Sequence, residues 1–194
     1  MFRLLGSLAL VCVSSSAAAQ EAPFVGGYAG VEAGLMDHHY WLTETAASGA
    51  VLSDRYYRDK DFGGGVFAGY DFAVAPRIRI GGEVALTTGG GDPEAVFSDG
   101  TTFIKKPRYG YRLVARAGFV PVDRVLVYAN GGYGGNRYRL GGSASVADAH
   151  EWGSSFIVGA GMEVRASDRI GLRFDFKHVD NQSNQWLLGV PIRF

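Results

Sequence analysis

Within the stretch Ile170-Gly171-Leu172-Arg173-Phe174-Asp175-Phe176-Lys177-His178, apolar and charged side chains alternate without a break from Leu172 to Lys177. Successive side chains of a β-strand point to opposite faces. Ile170, Leu172, Phe174 and Phe176 therefore share one face, and Arg173, Asp175 and Lys177 share the other. Two further runs behave alike. Ile78 to Thr88 sets Ile78, Ile80, Val84 and Leu86 against Arg79 and Glu83, and Tyr109 to Phe119 sets Tyr109, Tyr111, Leu113 and Phe119 against Arg112 and Arg116.

Working outward, five more strand-like runs appear: Val25 to Leu35, Phe62 to Phe72, Val125 to Gly135, Trp152 to Val164, and Trp186 to Phe194. Their charges, Glu32, Asp71, Glu163 and Arg193, fall on the parity opposite the large apolar residues. The eight runs are joined alternately by short and long connections. The short ones are Ala73 to Arg77, Val120 to Arg124 and Val164 to Arg169, each ending in Arg before a β-branched residue. The long ones include Met36 to Lys60 and Gly89 to Lys106, which read as polar loops of 25 and 18 residues. Loops of that size tend to be functional.

A soluble sheet also alternates, but it turns its apolar face to a core. No helical pattern is available here to cover that face. Every run is about 9 to 13 residues long, matching the roughly 9–11 residues a tilted strand needs to cross a bilayer. Lipid is then the cover. An open edge in hydrocarbon would leave backbone groups unsatisfied at several kcal/mol each, so the sheet must close. The expected fold is an all-β, eight-stranded antiparallel up-and-down transmembrane barrel. Aromatic residues bunch at the run ends: Tyr70, Phe72, Phe119 and Phe194 toward the short turns, and Tyr109, Tyr111, Tyr133, Trp152 and Trp186 toward the loops. Two interfacial girdles are expected from them.

Composition agrees with export to a membrane. Lys+Arg number 19 and Asp+Glu 19, which gives no electrostatic reason to expect nucleic acid. Hydrophobic residues make up 47%, against disorder, and the 29 glycines among 194 residues are about twice the usual share of roughly 7%. Beyond the start of the chain, no segment approaches the ~20 apolar residues of a membrane-spanning helix. Residues 1–19 have the layout of a signal peptide: Arg3, an apolar run from Leu4 to Val13, and Ala17-Ala18-Ala19 at the expected cleavage site. The barrel domain is then 20–194. Cys12 is the only cysteine, and Val11 before it argues against a lipoprotein, so the mature chain is expected to form no disulfide.

The segments Gly26-Gly27-Tyr28-Ala29-Gly30-Val31-Glu32, Val158-Gly159-Ala160-Gly161-Met162-Glu163-Val164, Leu172 to Lys177 and the closing Leu188-Gly189-Val190-Pro191-Ile192-Arg193-Phe194 resemble small Gram-negative outer-membrane barrels. The family is that of opacity-like surface proteins and the membrane domain of outer-membrane protein A, often grouped as porin-family barrels. The resemblance implies location in the outer membrane among lipopolysaccharide, and a role for Phe194 as the signal read by the barrel-assembly machinery. Pro191 departs from the pattern, since it removes one ladder donor. No further C-terminal domain is expected.

An eight-stranded barrel is just wide enough for its own side chains. The inward parity holds five acids, Glu32, Asp71, Glu83, Glu163 and Asp175, and six bases, Arg79, Arg112, Arg116, Arg173, Lys177 and Arg193. That near balance points to an ion-paired plug, with Asp175 or Glu163 expected beside Arg173. A narrow channel is the alternative, because water between such pairs can conduct. Inward glycines are expected to make room for Arg and Tyr from across the barrel.

No cofactor is expected. The glycine-rich Phe62 to Gly69 lacks the Lys-Ser/Thr of a phosphate loop and enters a strand. His38, His39, His150 and His178 read as surface histidines near the loops, without metal-ligand spacing. His178 lies where lipid A deacylases carry a catalytic His, but Asp180 occupies the position of their nucleophilic Ser, and Ser183 has no guaranteed base. The expected role is therefore a non-enzymatic surface barrel, structural or adhesive, whose loops, with Tyr40, Trp41, Tyr56, Tyr57 and Arg58, contact extracellular partners or neighbouring lipopolysaccharide.

Overall fold

The computed structural model describes residues 22–143, 150–180 and 182–194. The expected signal peptide, with Cys12, lies outside the described residues. Among the described residues, nine strands follow in order: β1 (Gly26–Thr45), β2 (Val51–Ala75), β3 (Ile78–Gly89), β4 (Glu94–Val96), β5 (Thr102–Val122), β6 (Val125–Gly141), β7 (His150–Arg165), β8 (Gly171–Val179) and β9 (Ser183–Arg193). All pairings are antiparallel. The first and last strands join through β1–β9, and β3 joins β5 from Ile78↔Phe119 to Thr88↔Tyr109. Eight strands thus close into a ring, and β4 pairs with β5 outside it.

Parity inverts the usual arrangement of core and surface. In β8, Leu172 and Phe174 are 59% and 46% exposed, while Arg173 and Asp175 are 2% and 0% exposed. Val31, Val66, Leu86, Leu113, Val158 and Leu188 face outward around the rest of the wall. A lipid-facing surface carries that apolar band.

The long connections differ from the loop reading. Met36 to Lys60 is mostly ladder: β1 and β2 stay paired beyond the barrel up to Thr45↔Val51. Cross-strand aromatic pairs explain the extension, with Tyr40 stacked on Tyr57 at 5.8 Å and Trp41 against Tyr56 at 5.4 Å. Thr43 Oγ1 donates to Asp54 Oδ1 at 3.1 Å near the tip. A tight turn follows, where Gly49 takes φ +84° and donates its N–H to Ala46 O at 2.9 Å. Part of Gly89 to Lys106 is likewise ordered, as β4 and the start of β5.

Candidate functional site

The lumen is built by the inward residues of all eight ring strands, and the eleven charged side chains singled out from the sequence are all buried there. Ten of them join one network. At the turn end, Arg193 holds Glu163 through Nε at 2.9 Å and Nη2 at 3.0 Å, and its Nη2 also reaches Asp71 Oδ2 at 3.0 Å. Arg116 lies within 3.1 Å of Asp71, 3.5 Å of Glu163 and 3.6 Å of Glu83. Midway, Arg173 holds Glu83 at 2.5 Å, Glu32 at 2.9 Å and Asp175 at 2.8 Å. Arg112 pairs with Glu32 and donates to Gln185 Oε1 at 2.8 Å, and Lys177 donates to Asp175 at 2.8 Å. The Arg116–Asp71 and Arg173–Asp175 contacts are ion pairs without hydrogen-bond alignment.

Arg79 stands apart. Its guanidinium donates to the carbonyls of Pro23, Ala75, Pro76 and Ile78, binding the N-terminal turn to the β2–β3 turn. With Arg79 so engaged, the network closes at five acids and five bases. Glu163 lies opposite Arg173 in register, yet its carboxylate is taken by Arg193 and Arg116. Register neighbours on one wall diverge because side chains in a narrow barrel reach across it.

Several lumen residues were missed by the charge-based reading. Phe67, Tyr28 and Tyr128 lie among the guanidinium groups, with Arg173 3.6 Å above the Phe67 ring and Arg116 4.1 Å above Tyr128. Tyr28 donates to Glu83 at 3.1 Å and Tyr128 to Asp175 at 2.9 Å. Strand parity could have found Tyr28 and Phe67, which share a face with Glu32 and Asp71, whereas the strand of Tyr128 carries no buried charge to mark its inward face. The turn end is closed by Phe24 against Val120, Leu126 and Tyr128.

Inward glycines make room for these side chains. A Cβ at Gly161 would lie 2.6 Å from Tyr128 Cζ and 2.7 Å from Asp175 Oδ1, whereas at outward Gly131 its nearest neighbour would be Ile157 O at 3.7 Å. Gly161→Ala should lower folding stability in vesicles by about 1–3 kcal/mol, the cost of overpacking. Gly131→Ala should unfold at the parental urea concentration.

Near the loop end, Val114, Ile157 and Val179 cluster side by side on the inner face of the β5–β8 wall, where Gly132 separates the first two. Above them His38 departs from the surface reading. It is 1% exposed, and its Nδ1 lies 3.4 Å from Tyr138 Oη. Gln182 turns its amide nitrogen to Tyr138 Oη at 3.3 Å and to Gly153 O at 3.0 Å. Burial pushes the His38 imidazole down to about 4, opposed in part by the nearby Gly89 backbone and reinforced by His39 and Lys105. Above its unfolded pKa, about 6.5, His38 adds nothing to the pH dependence. As pH falls from there toward 4, the unfolded segment takes up a proton that the folded one refuses, so stability drops by roughly 3 kcal/mol in total. His38→Gln should flatten that dependence in hydrogen exchange of the outer hairpin between pH 7 and 4.

The histidine and serine weighed for catalysis are not aligned with each other. His178 Nδ1 lies 2.7 Å from Asn184 Oδ1, and buried Ser183 accepts from Gln185 Nε2 at 3.1 Å. Ser183 begins β9 and is not a loop residue. Among the described residues, no three of His, Cys, Asp or Glu group as metal ligands.

The expected girdle residues all stand on the outer wall. Tyr70 and Phe72 pack at 4.6 Å toward the turns, and Phe119 and Phe194 are exposed at the same end. Toward the loops, Tyr109 and Tyr111 lie 5.7 and 6.1 Å from Trp152, Tyr133 packs against Phe156 at 5.7 Å, and Trp186 packs against Phe176 at 5.6 Å.

Over residues 5–194 the chain matches the family described as the outer membrane protein beta-barrel domain. It belongs to that family. Among relatives of this outer membrane barrel, the 31 kDa outer-membrane immunogenic protein of Brucella melitensis is 27% identical over 201 residues, spanning 93% of this chain and 82% of that protein. The protein of the same name from Brucella suis is equally similar. Neisserial surface protein A shares the fold with a TM-score of 0.53 and 17% identity, covering 87% of this chain and 97% of that one. Ail, the attachment invasion locus protein of Yersinia pestis, superposes with a TM-score of 0.51 and 16% identity, covering 87% of this chain and 99% of that one. The chain is an eight-stranded barrel of the outer membrane.

Proposed function

We propose that this outer-membrane barrel is a non-enzymatic surface protein whose lumen is plugged by its charge network and whose β1–β2 hairpin makes adhesive contacts outside the cell. The observation that carries this reading is the hairpin itself. It continues as a paired ladder beyond the barrel, and it turns Trp41, 65% exposed, and Tyr56, 42% exposed, outward on the same face as the exposed Arg58. Exposed aromatic and Arg side chains on a pre-ordered ladder bind at low entropic cost. The naming of the Brucella relatives as immunogenic outer-membrane proteins accords with surface display.

A non-enzymatic role is supported by the engagement of His178 with Asn184 and of Ser183 with Gln185. Phe194, 83% exposed at the turn end, suits recognition by the barrel-assembly machinery. In a non-adherent Gram-negative host, surface expression should raise adherence to epithelial monolayers several-fold. Trp41→Ala/Tyr56→Ala should abolish the gain while the barrel still reaches the outer membrane. Adherence equal to that of the vector control would sink the adhesive reading.

A further inference from the structure

Just beyond the outer rings, β5 and β6 carry Lys106, Arg108, Arg137 and Arg139 on neighbouring rows. The pairings Tyr109↔Arg137 and Lys106↔Arg139 put these rows on the outer wall, and a register shift between Pro107 and Tyr109 sets Arg108 beside Tyr109 opposite the single residue Arg137. A bulge of this kind re-aims a side chain. Arg108 is exposed and Arg137 half-buried. Arg137 Nη1 donates to Tyr109 Oη at 2.9 Å, Tyr109 meets Trp152 edge-on at 5.7 Å, and Trp152 lies opposite Arg137 in register. The guanidinium is thus anchored at the depth of the aromatic belt, where hydrocarbon gives way to headgroups.

Other cations of the same rim are engaged. Arg58 pairs with Asp37 at 3.1 Å, Lys106 with Asp92 at 2.5 Å, and Lys60 lies 4.8 Å above the Trp186 ring. Among the described residues, neither Arg108 nor Arg137 pairs with a carboxylate. Two adjacent planar guanidinium groups match phosphate oxygens in a bidentate manner, which a lysine cannot reproduce.

We infer that Arg108 and Arg137 clamp a phosphate of the lipid A headgroup of outer-leaflet lipopolysaccharide, with Tyr109 and Trp152 against the adjoining acyl chains. The clamp deepens the surface reading by assigning one lipid contact. It needs only the outer-membrane placement and leaves the hairpin untouched, so it can fail without the adhesive role failing.

The test is native mass spectrometry of the folded barrel in micelles with bisphosphorylated lipid A, dephosphorylated lipid A, phosphatidylethanolamine or inorganic phosphate. The parent should retain bisphosphorylated lipid A about tenfold better than the other two lipids. R108Q/R137Q should lose that preference, and R58Q/K60Q, on β2, should keep it within about twofold. Millimolar inorganic phosphate should not displace the lipid. Equal retention of dephosphorylated lipid A by the parent, or an unchanged preference in R108Q/R137Q, would overturn the clamp. Displacement by inorganic phosphate would also overturn it, by reducing the pair to a bare anion site. If R108Q/R137Q does not fold, the dephosphorylated lipid on the parent decides alone.

Discussion

Phe174→Arg should lower the free energy of folding into bilayers by about 2–4 kcal/mol, because its guanidinium would meet hydrocarbon near the middle of β8. Leu172→Arg, one outward position nearer the turn, should cost less, since the penalty falls toward the interface. Arg173→Leu, between them, should fail for the opposite reason. Leucine is welcome in hydrocarbon, but Arg173 faces the lumen, where Glu83, Glu32 and Asp175 would each lose a partner. Breaking a buried pair by removing one member costs about 3–5 kcal/mol. The two lesions separate on rescue. Arg173→Leu should recover part of its loss when Glu83→Gln is added, whereas no lumen substitution should rescue Phe174→Arg. Urea titration of folding into vesicles measures all of these. If Phe174→Arg folds like the parent while Arg173→Leu behaves as a lipid-facing lesion, the parity of β8 is inverted and the lumen assignment falls with it.

The second large effect is on conduction. Arg112→Ala/Arg116→Ala should raise conductance in planar bilayers at least several-fold over the parent and make it cation-selective. Arg116 neutralises Asp71, Glu83 and Glu163, and Arg112 neutralises Glu32. Removing both guanidinium groups opens volume and leaves carboxylates in excess, which draws in water and cations. Adding Glu32→Gln and Glu83→Gln should weaken the selectivity. A double variant that folds and still conducts no more than the parent would show that the lumen is sealed by something other than these charges.

The barrel was legible because its signal is periodic. Leu172, Phe174 and Phe176 on one parity and Arg173, Asp175 and Lys177 on the other identify the two faces without any knowledge of partners. Sheet closure followed from the lack of solvent for an open edge. What was not legible depends on contacts between distant strands. Polar composition marked Met36 to Lys60 as loop, but the pairs Tyr40–Tyr57 and Trp41–Tyr56 extend the ladder through it. Arg79 carries the same parity signal as Arg116, but the carbonyls of its own turn and of the returning Pro23 claim its guanidinium. Parity likewise places Glu163 with Arg173, whereas the lateral reach of Arg193 decides its partner. His38 looked like a surface residue because the hairpin and Tyr138 that bury it are brought together by the fold alone.

The most direct measurement of the plug is the conductance of the unmodified protein in planar bilayers, on material whose heat-shifted gel mobility shows it folded. A lumen closed by five paired acids and five paired bases predicts conductance that is absent or small. A large, stable pore in the parent would contradict it and favour the channel.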